Sequence, residues 1–232
     1  MSSLKIITLA CIICGATAIA SAQPQQTNAD PGEMQAQQRN VSPQQQRALT
    51  PDKLLTLGDF YYRNNDISDK ADAYYKQVIR NSPGTQAAGY AQYNRGSYWF
   101  RKFYVVKEQY SKEDRAALGE AEGQFYDFID KFAKQTNTIG LLSDAEFNLA
   151  LVYLQQGKRD YAVGWLNRML AEAVKQDSMV YVYKVVWTSK PADIVDRNVD
   201  AAQLATFARQ AVQKGGDINS VVLDIKRWCQ KQ

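Results

Sequence analysis

Two stretches of this 232-residue chain constrain its fold more than anything else in it, because they place small and large apolar side chains in the same order. In "DAEFNLALVYLQQGKRDYAVGWLNRML", Ala150 is followed by Tyr153 three residues on, by Gly157 in a turn, by Ala162 twelve residues on, and by Leu166 and Met169 beyond. In "LLTLGDFYYRNNDISDKADAYYKQVIRNSP", Leu54, Leu57, Gly58 and Tyr61 come before a polar turn, and Ala71, Tyr75, Val78 and Pro83 after it. Small side chains let two antiparallel helices approach closely, and the large ones fill the space beside the contact. The expectation is therefore all-α, built from helix pairs.

Other signals fit helix after helix. Helix starts are expected at Thr50-Pro51, at Ser111 with Asp114, at Ser143 with Glu146 as a capping box, at Asp200 with Gln203, and at Asp217. Breaks are expected at 81–84, at 136–140 and at Gln156-Gly157. Met179 to Thr188, "MVYVYKVVWT", is apolar at both parities, so periodicity does not separate a buried helix from a buried strand. A helix is expected there, with a strand as the alternative, because no other segment reads as a pairing partner.

The small-to-large order closely resembles the tetratricopeptide repeat. That resemblance covers roughly residues 50–176 and implies a helix-pair solenoid. A degenerate middle unit lies in "YAQYNRGSYWFRKFYVVKEQY", residues 90–110. Taking Tyr93, Ser97 and Phe100 as its anchor positions puts Gly96 beside them; a shift by one residue would bury Gln92 and Arg95 and is set aside for that reason. Its partner helix is expected to carry Ala121, Phe125 and Phe128 after an insertion of about a dozen residues relative to the family's spacing. The wording "FYDFIDKFAKQTNTIGLLSDAEFNLALVYLQQG" is also similar to periplasmic tetratricopeptide proteins that serve the outer membrane.

The middle stretch mixes rings with basic side chains, a pattern that could also grip a polyanion. On a wheel at 100° per residue, Tyr93, Gly96, Trp99, Phe100, Phe103, Tyr104, Val106 and Tyr110 fall within an arc of roughly 160°, with Arg95, Arg101 and Lys102 outside it and Lys107 inside. Most of these rings are expected in the core, and no nucleic-acid partner is expected.

Composition narrows chemistry and compartment. The chain has no histidine, which removes Ser-His-Asp and Cys-His mechanisms and nearly all catalytic zinc sites. Its net charge of +4 is too small to argue polyanion binding. The start, "MSSLKIITLACIICGATAIASAQ", has one Lys, an apolar run and Ala20-Ser21-Ala22, the pattern of a signal peptide cleaved after Ala22. The expected location is periplasmic or secreted. A lipid anchor is disfavoured because Ile13 before Cys14 is too large, and an uncleaved anchor because the apolar run is short. Residues 23–49 hold nine Gln and almost no large apolar side chains, and are expected to be a disordered tether. Cleavage would leave Cys229 as the sole thiol, expected to be buried beside Trp228.

The family's groove positions, carried over by resemblance, are Asp59, Tyr62 and Arg63 in the first unit, Asn94, Tyr98 and Arg101 in the middle one, and Phe147, Leu151 and Gln155 in the last. A protein or peptide partner in the cell envelope is implied, with any membrane association made through that partner. The expected role is a non-catalytic scaffold with no cofactor or metal. Two other functions compete with it. A glycan or peptidoglycan binder would use Tyr and Trp as sugar platforms. A cell-wall hydrolase would need paired carboxylates, but Glu120 and Glu122 point to different helix faces, and Asp127 and Asp130 read as solvated. Residues 177–232 are expected to form a helical cap, with Leu204, Phe207, Ala208 and Ala211 on one stripe and Val221, Val222, Ile225 and Trp228 on another.

Overall fold

The computed structural model describes residues 49–64, 66–132, 139–176, 179–182, 197–229 and 231. The expected signal peptide, all but the last residue of the expected tether, and residues 183–188 lie outside them. The chain divides into two units, Met1–Asp52 and Lys53–Gln232, and the packing is that of the second.

The described residues are predominantly helical. In chain order the elements are α1 (Pro51–Arg63), α2 (Lys70–Asn81), α3 (Gln86–Tyr110), α4 (Arg115–Lys131), α5 (Ile139–Gln155), α6 (Arg159–Gln176), β1 (Met179–Val182), β2 (Arg197–Asp200), α7 (Ala201–Lys214) and α8 (Ile218–Cys229). Among the described residues, no helix is long and apolar enough to cross a membrane.

Local chemistry sets the helix ends. Asp114 accepts from the Ala117 amide at 3.0 Å and starts α4. Asp200 accepts from Gln203 at 2.7 Å and Asp217 from Ser220 at 3.1 Å, starting α7 and α8. In each case a carboxylate satisfies an amide that the first turn leaves without a carbonyl. Gly157, at φ +77°, closes α5: the Lys158 amide turns back onto the Tyr153 carbonyl at 2.9 Å, a left-handed end that suits a residue without a Cβ. The expected capping box is wrong. Ser143 and Glu146 lie inside α5 and are buried, because the helix already begins at Ile139.

The contacts fix the helix directions. Tyr61 stacks on Tyr74 while Gly58 faces Tyr75, so α1 and α2 run antiparallel. Tyr93 packs on Phe128 and Gly96 on Phe125, giving the same sense for α3 and α4. Tyr153 stacks on Tyr161 while Glu146 meets Arg168, so α5 and α6 repeat it. Across pairs, the first helices run parallel. Asp59 meets Asn94 and the Tyr62 carbonyl meets Arg101; Tyr93 meets Asn148 and Tyr104 meets Gln155.

The two glycines explain the close approach. A Cβ on Gly58 would lie 2.5 Å from the Tyr75 ring, and one on Gly96 would lie 2.6 Å from the Phe125 ring. Gly96 therefore holds in α3 the place that Gly58 holds in α1, and the one-residue shift set aside on sequence grounds is the observed register. Gln92 is buried, its amide donating to the Gln124 carbonyl at 3.0 Å, and Arg95 pairs with Asp72 at 2.8 Å. Burial of Gln92 and partial burial of Arg95 are tolerated because each finds a partner.

The buried surface of α3 is wider than the expected arc. Tyr98 and Val105, outside that arc, are buried, whereas Tyr110, inside it, is 63% exposed near the helix end. The main core runs from α3 to α8 and includes Phe100, Phe125, Phe128, Leu149, Leu166, Met169, Leu204 and Ile225.

After α6 the expected helix at 179–188 begins instead as a strand. Met179–Val182 pairs antiparallel with Arg197–Asp200, with Met179 opposite Asp200 and Val182 opposite Arg197. The partner strand is four residues of "RNVD", too short and too polar to declare itself by pattern. Helix α7 packs on α6, where Arg159 donates to the Val212 carbonyl at 3.2 Å. Elements β1 and α8 pack on α5, so the C-terminal region reaches back beyond an end cap. Cys229 is buried in α8, and burial pushes its thiol pKa up to about 12.

Candidate functional site

The nine expected groove residues do not form one open surface. Asp59, Tyr62, Asn94 and Arg101 come together where α1 meets α3. The Asp59 carboxylate accepts from the Tyr75 hydroxyl at 2.7 Å and from Asn94 at 3.1 Å. Burial raises its pKa, opposed by those hydrogen bonds and by the charge of Arg63. Arg101 stacks its guanidinium 4.8 Å from the Tyr62 ring centroid and donates to the Tyr62 carbonyl, closing the last turn of α1. Burial also raises the Tyr62 phenol, to about 12. Arg63 is exposed beside this cluster.

The remaining four lie elsewhere. Tyr98 is buried against α2, its hydroxyl donating to Asp69 at 2.8 Å and accepting from the Asp69 amide at 3.0 Å. The displacement follows from the register: one residue turns an α-helix by about 100°, moving this ring from the expected groove to the α2 side. Phe147 and Leu151 are core residues. On α5, the faces toward α6, α4 and α3 are marked by Glu146, Tyr153 and Asn148. Phe147, Leu151 and Leu154 occupy the remaining arc, and all three are buried. Gln155 donates to the Tyr104 hydroxyl at 3.0 Å.

The basic side chains of residues 90–110 are absorbed within the fold. Arg95 bonds Asp72 at 2.8 Å, Lys102 bonds Asp69 at 2.6 Å, Arg101 holds the Tyr62 carbonyl, and Lys107 faces Glu113 at 3.7 Å. Trp99 adds an indole donor to Asp72 at 3.1 Å and lies under Lys102, 4.6 Å from its ring centroid. Burial alone would raise the Asp72 carboxyl, but hydrogen bonds from Lys76 and Arg95, with their charges, outweigh it and hold the group below the usual carboxylate range. Asp69 and Asp72 are functional neighbours of these bases that the apolar pattern of the sequence does not single out. Their signal was available as acids three apart at the start of α2, opposite bases seven apart on the next helix.

Two of the carboxylates weighed as catalytic are likewise engaged. Glu122 accepts from Tyr153 at 2.8 Å and from Gln156 at 2.7 Å, and Asp127 pairs with Lys131 at 2.8 Å. Glu146 is the acid in the least ordinary setting. It is fully buried, with the Arg168 guanidinium 2.8 Å away, and burial lifts its pKa to about 7 despite that cation.

The geometry offers one half-open polar edge, formed by Asp59, Tyr62, Arg63 and Asn94 on neighbouring parallel helices. It combines a cation, an amide and the rim of a ring. Comparison with protein-family models, curated proteins and solved structures finds no match.

Proposed function

We propose that this chain is an exported, tetratricopeptide-like helix-pair array that binds a polypeptide partner in a cell-envelope complex and acts as a scaffold. The observation that carries this reading is the repeated pairing geometry: α1–α2 and α3–α4 each seat a ring on a glycine, and the first helices run parallel beside one another. Parallel neighbours align their outer edges, so side chains one turn apart on each can meet one extended segment. Arg63 and Asn94 supply polar contacts for such a segment and Tyr62 a rigid apolar one.

Arg101 is a poor probe of this edge because it is buried and closes α1. Exposed Arg63 is the better one. A photo-crosslinking side chain at position 63 of the full chain, in cells, is expected to capture a polypeptide that the same probe at exposed Asp130 does not. With that polypeptide purified, Arg63→Glu is expected to weaken binding about tenfold with an unchanged melting temperature. Equal capture at both positions, or binding indifferent to Arg63→Glu, contradicts the reading. Clearing of purified cell walls in a zymogram would favour a hydrolase instead.

A further inference from the structure

The depression between α7 and α8 shares no residue with the α1–α3 edge. It has a volume of about 330 Å³ and is lined by Ala202, Gln203, Thr206, Phe207, Gln210 and Trp228. Phe207 and Trp228 stack with centroids 5.1 Å apart and planes 14° from parallel, so rings from two helices lie face to face with an offset and form one aromatic side of the depression. Gln203, Thr206 and Gln210 follow one another at three and four residues on α7, which places them on one stripe beside Phe207. Both glutamines are exposed. No charged side chain among the described residues lines the depression.

This lining selects a ligand by chemistry. A phosphate, carboxylate or ammonium group would meet no opposite charge here. A wholly apolar ligand would make no use of the two primary amides and the hydroxyl beside the rings. An extended peptide is recognised largely through its backbone, and the backbone groups of α7 are spent inside the helix. A sugar ring meets both halves of the lining. Its C–H face is apolar and flat enough to lie on aromatic rings, and each rim hydroxyl donates and accepts, as a glutamine amide does.

We propose that the α7–α8 depression binds a neutral pyranose unit, with the sugar ring against the stacked Phe207–Trp228 pair and the hydroxyls on Gln203, Thr206 and Gln210. The unit can be a free sugar or part of a longer glycan, and length separates the two sources.

The test is saturation-transfer NMR on the full chain with four neutral probes: methyl β-glucoside, N-acetylglucosamine, cellotriose and chitotriose. An uncharged tripeptide amide serves as the comparison. Transfer to at least one sugar at ~10 mM is expected, with Gln210→Ala weakening it about three- to tenfold at an unchanged melting temperature. Phe207→Leu keeps an apolar side chain at the site but removes the flat ring, and is expected to abolish transfer. Equal affinity for mono- and trisaccharide supports a free sugar, and tighter trisaccharide binding supports a unit within a chain. No transfer to any sugar overturns the proposal. So does transfer unchanged in both variants, and so does transfer to the peptide alone.

Discussion

Glu146 is the residue whose surroundings and chemistry are most opposed. It lies fully buried in α5 with one half-exposed cation, Arg168, beside it, and its pKa rises from 4.5 to about 7. The folded chain therefore holds a proton between those values that the unfolded chain has released. The stability tied to this proton is complete below the unfolded pKa and is lost as pH rises through the folded one, a span worth about 3 kcal/mol. Urea melts between pH 5 and pH 8 should show stability falling as pH rises, and Glu146→Gln should flatten that slope; an unchanged slope in the variant would remove Glu146 as its source. The sequence around Glu146 points to a helix start for a local reason. Ser143 three positions before Glu146 has the spacing of a capping box, and only tertiary burial reveals that the pattern sits within a helix.

At the scale of elements, glycines with opposite roles separate packing from propensity. Gly96 has the Phe125 ring where a Cβ would be, so Gly96→Ala should cost about 1–3 kcal/mol by overpacking. Gly119 has open space around it within α4, so Gly119→Ala should stabilise by up to about 1 kcal/mol. Thermal melts of the two variants should shift in opposite directions, and a shared direction would argue against the ring seat. The same contact shows why the register of α3 was misread. An apolar-only criterion rejects burial of Gln92 and Arg95, but it is blind to Gln124 and Asp72, which come from other helices to meet them. The paired small-to-large order at Gly58 and Tyr75 was legible because both halves of the contact lie within one short stretch.

For the molecule as a whole, two kinds of joint matter. The continuous core spans α3 to α8, whereas Leu54, Ala71, Tyr75 and Val78 of the first pair are buried outside it. The α1–α2 pair is held to α3 by the polar contacts of Asp59, Asp69 and Asp72, with Ile79 packing against the edge of that core. Amides of α1 and α2 should therefore exchange with deuterium before those of α4 to α6. Asp72→Ala, which leaves Arg95 and the Trp99 indole without their shared acceptor, should cost about 3 kcal/mol and widen that gap. Uniform exchange across all these helices would contradict a separable first pair. This seam was only half legible, since its bases stood out in the sequence while its acids looked like an ordinary helix start. The β1–β2 ribbon was less legible still, because "RNVD" carries no strand pattern and takes its role from pairing with Met179–Val182.

The central claim is that the first helices of successive pairs lie parallel, the geometry on which the proposed binding edge depends. It is tested most directly by nuclear Overhauser contacts between α3 and α5 in selectively labelled protein. The parallel arrangement predicts cross-peaks from the Tyr93 ring to the Asn148 side-chain amide and from the Tyr104 ring to the Gln155 side-chain amide, pairs placed at 3.3 Å and 3.0 Å through their hydroxyls. Cross-peaks joining Tyr93 to Gln155 and Tyr104 to Asn148 would mean that the helices run in opposite directions, and would contradict it.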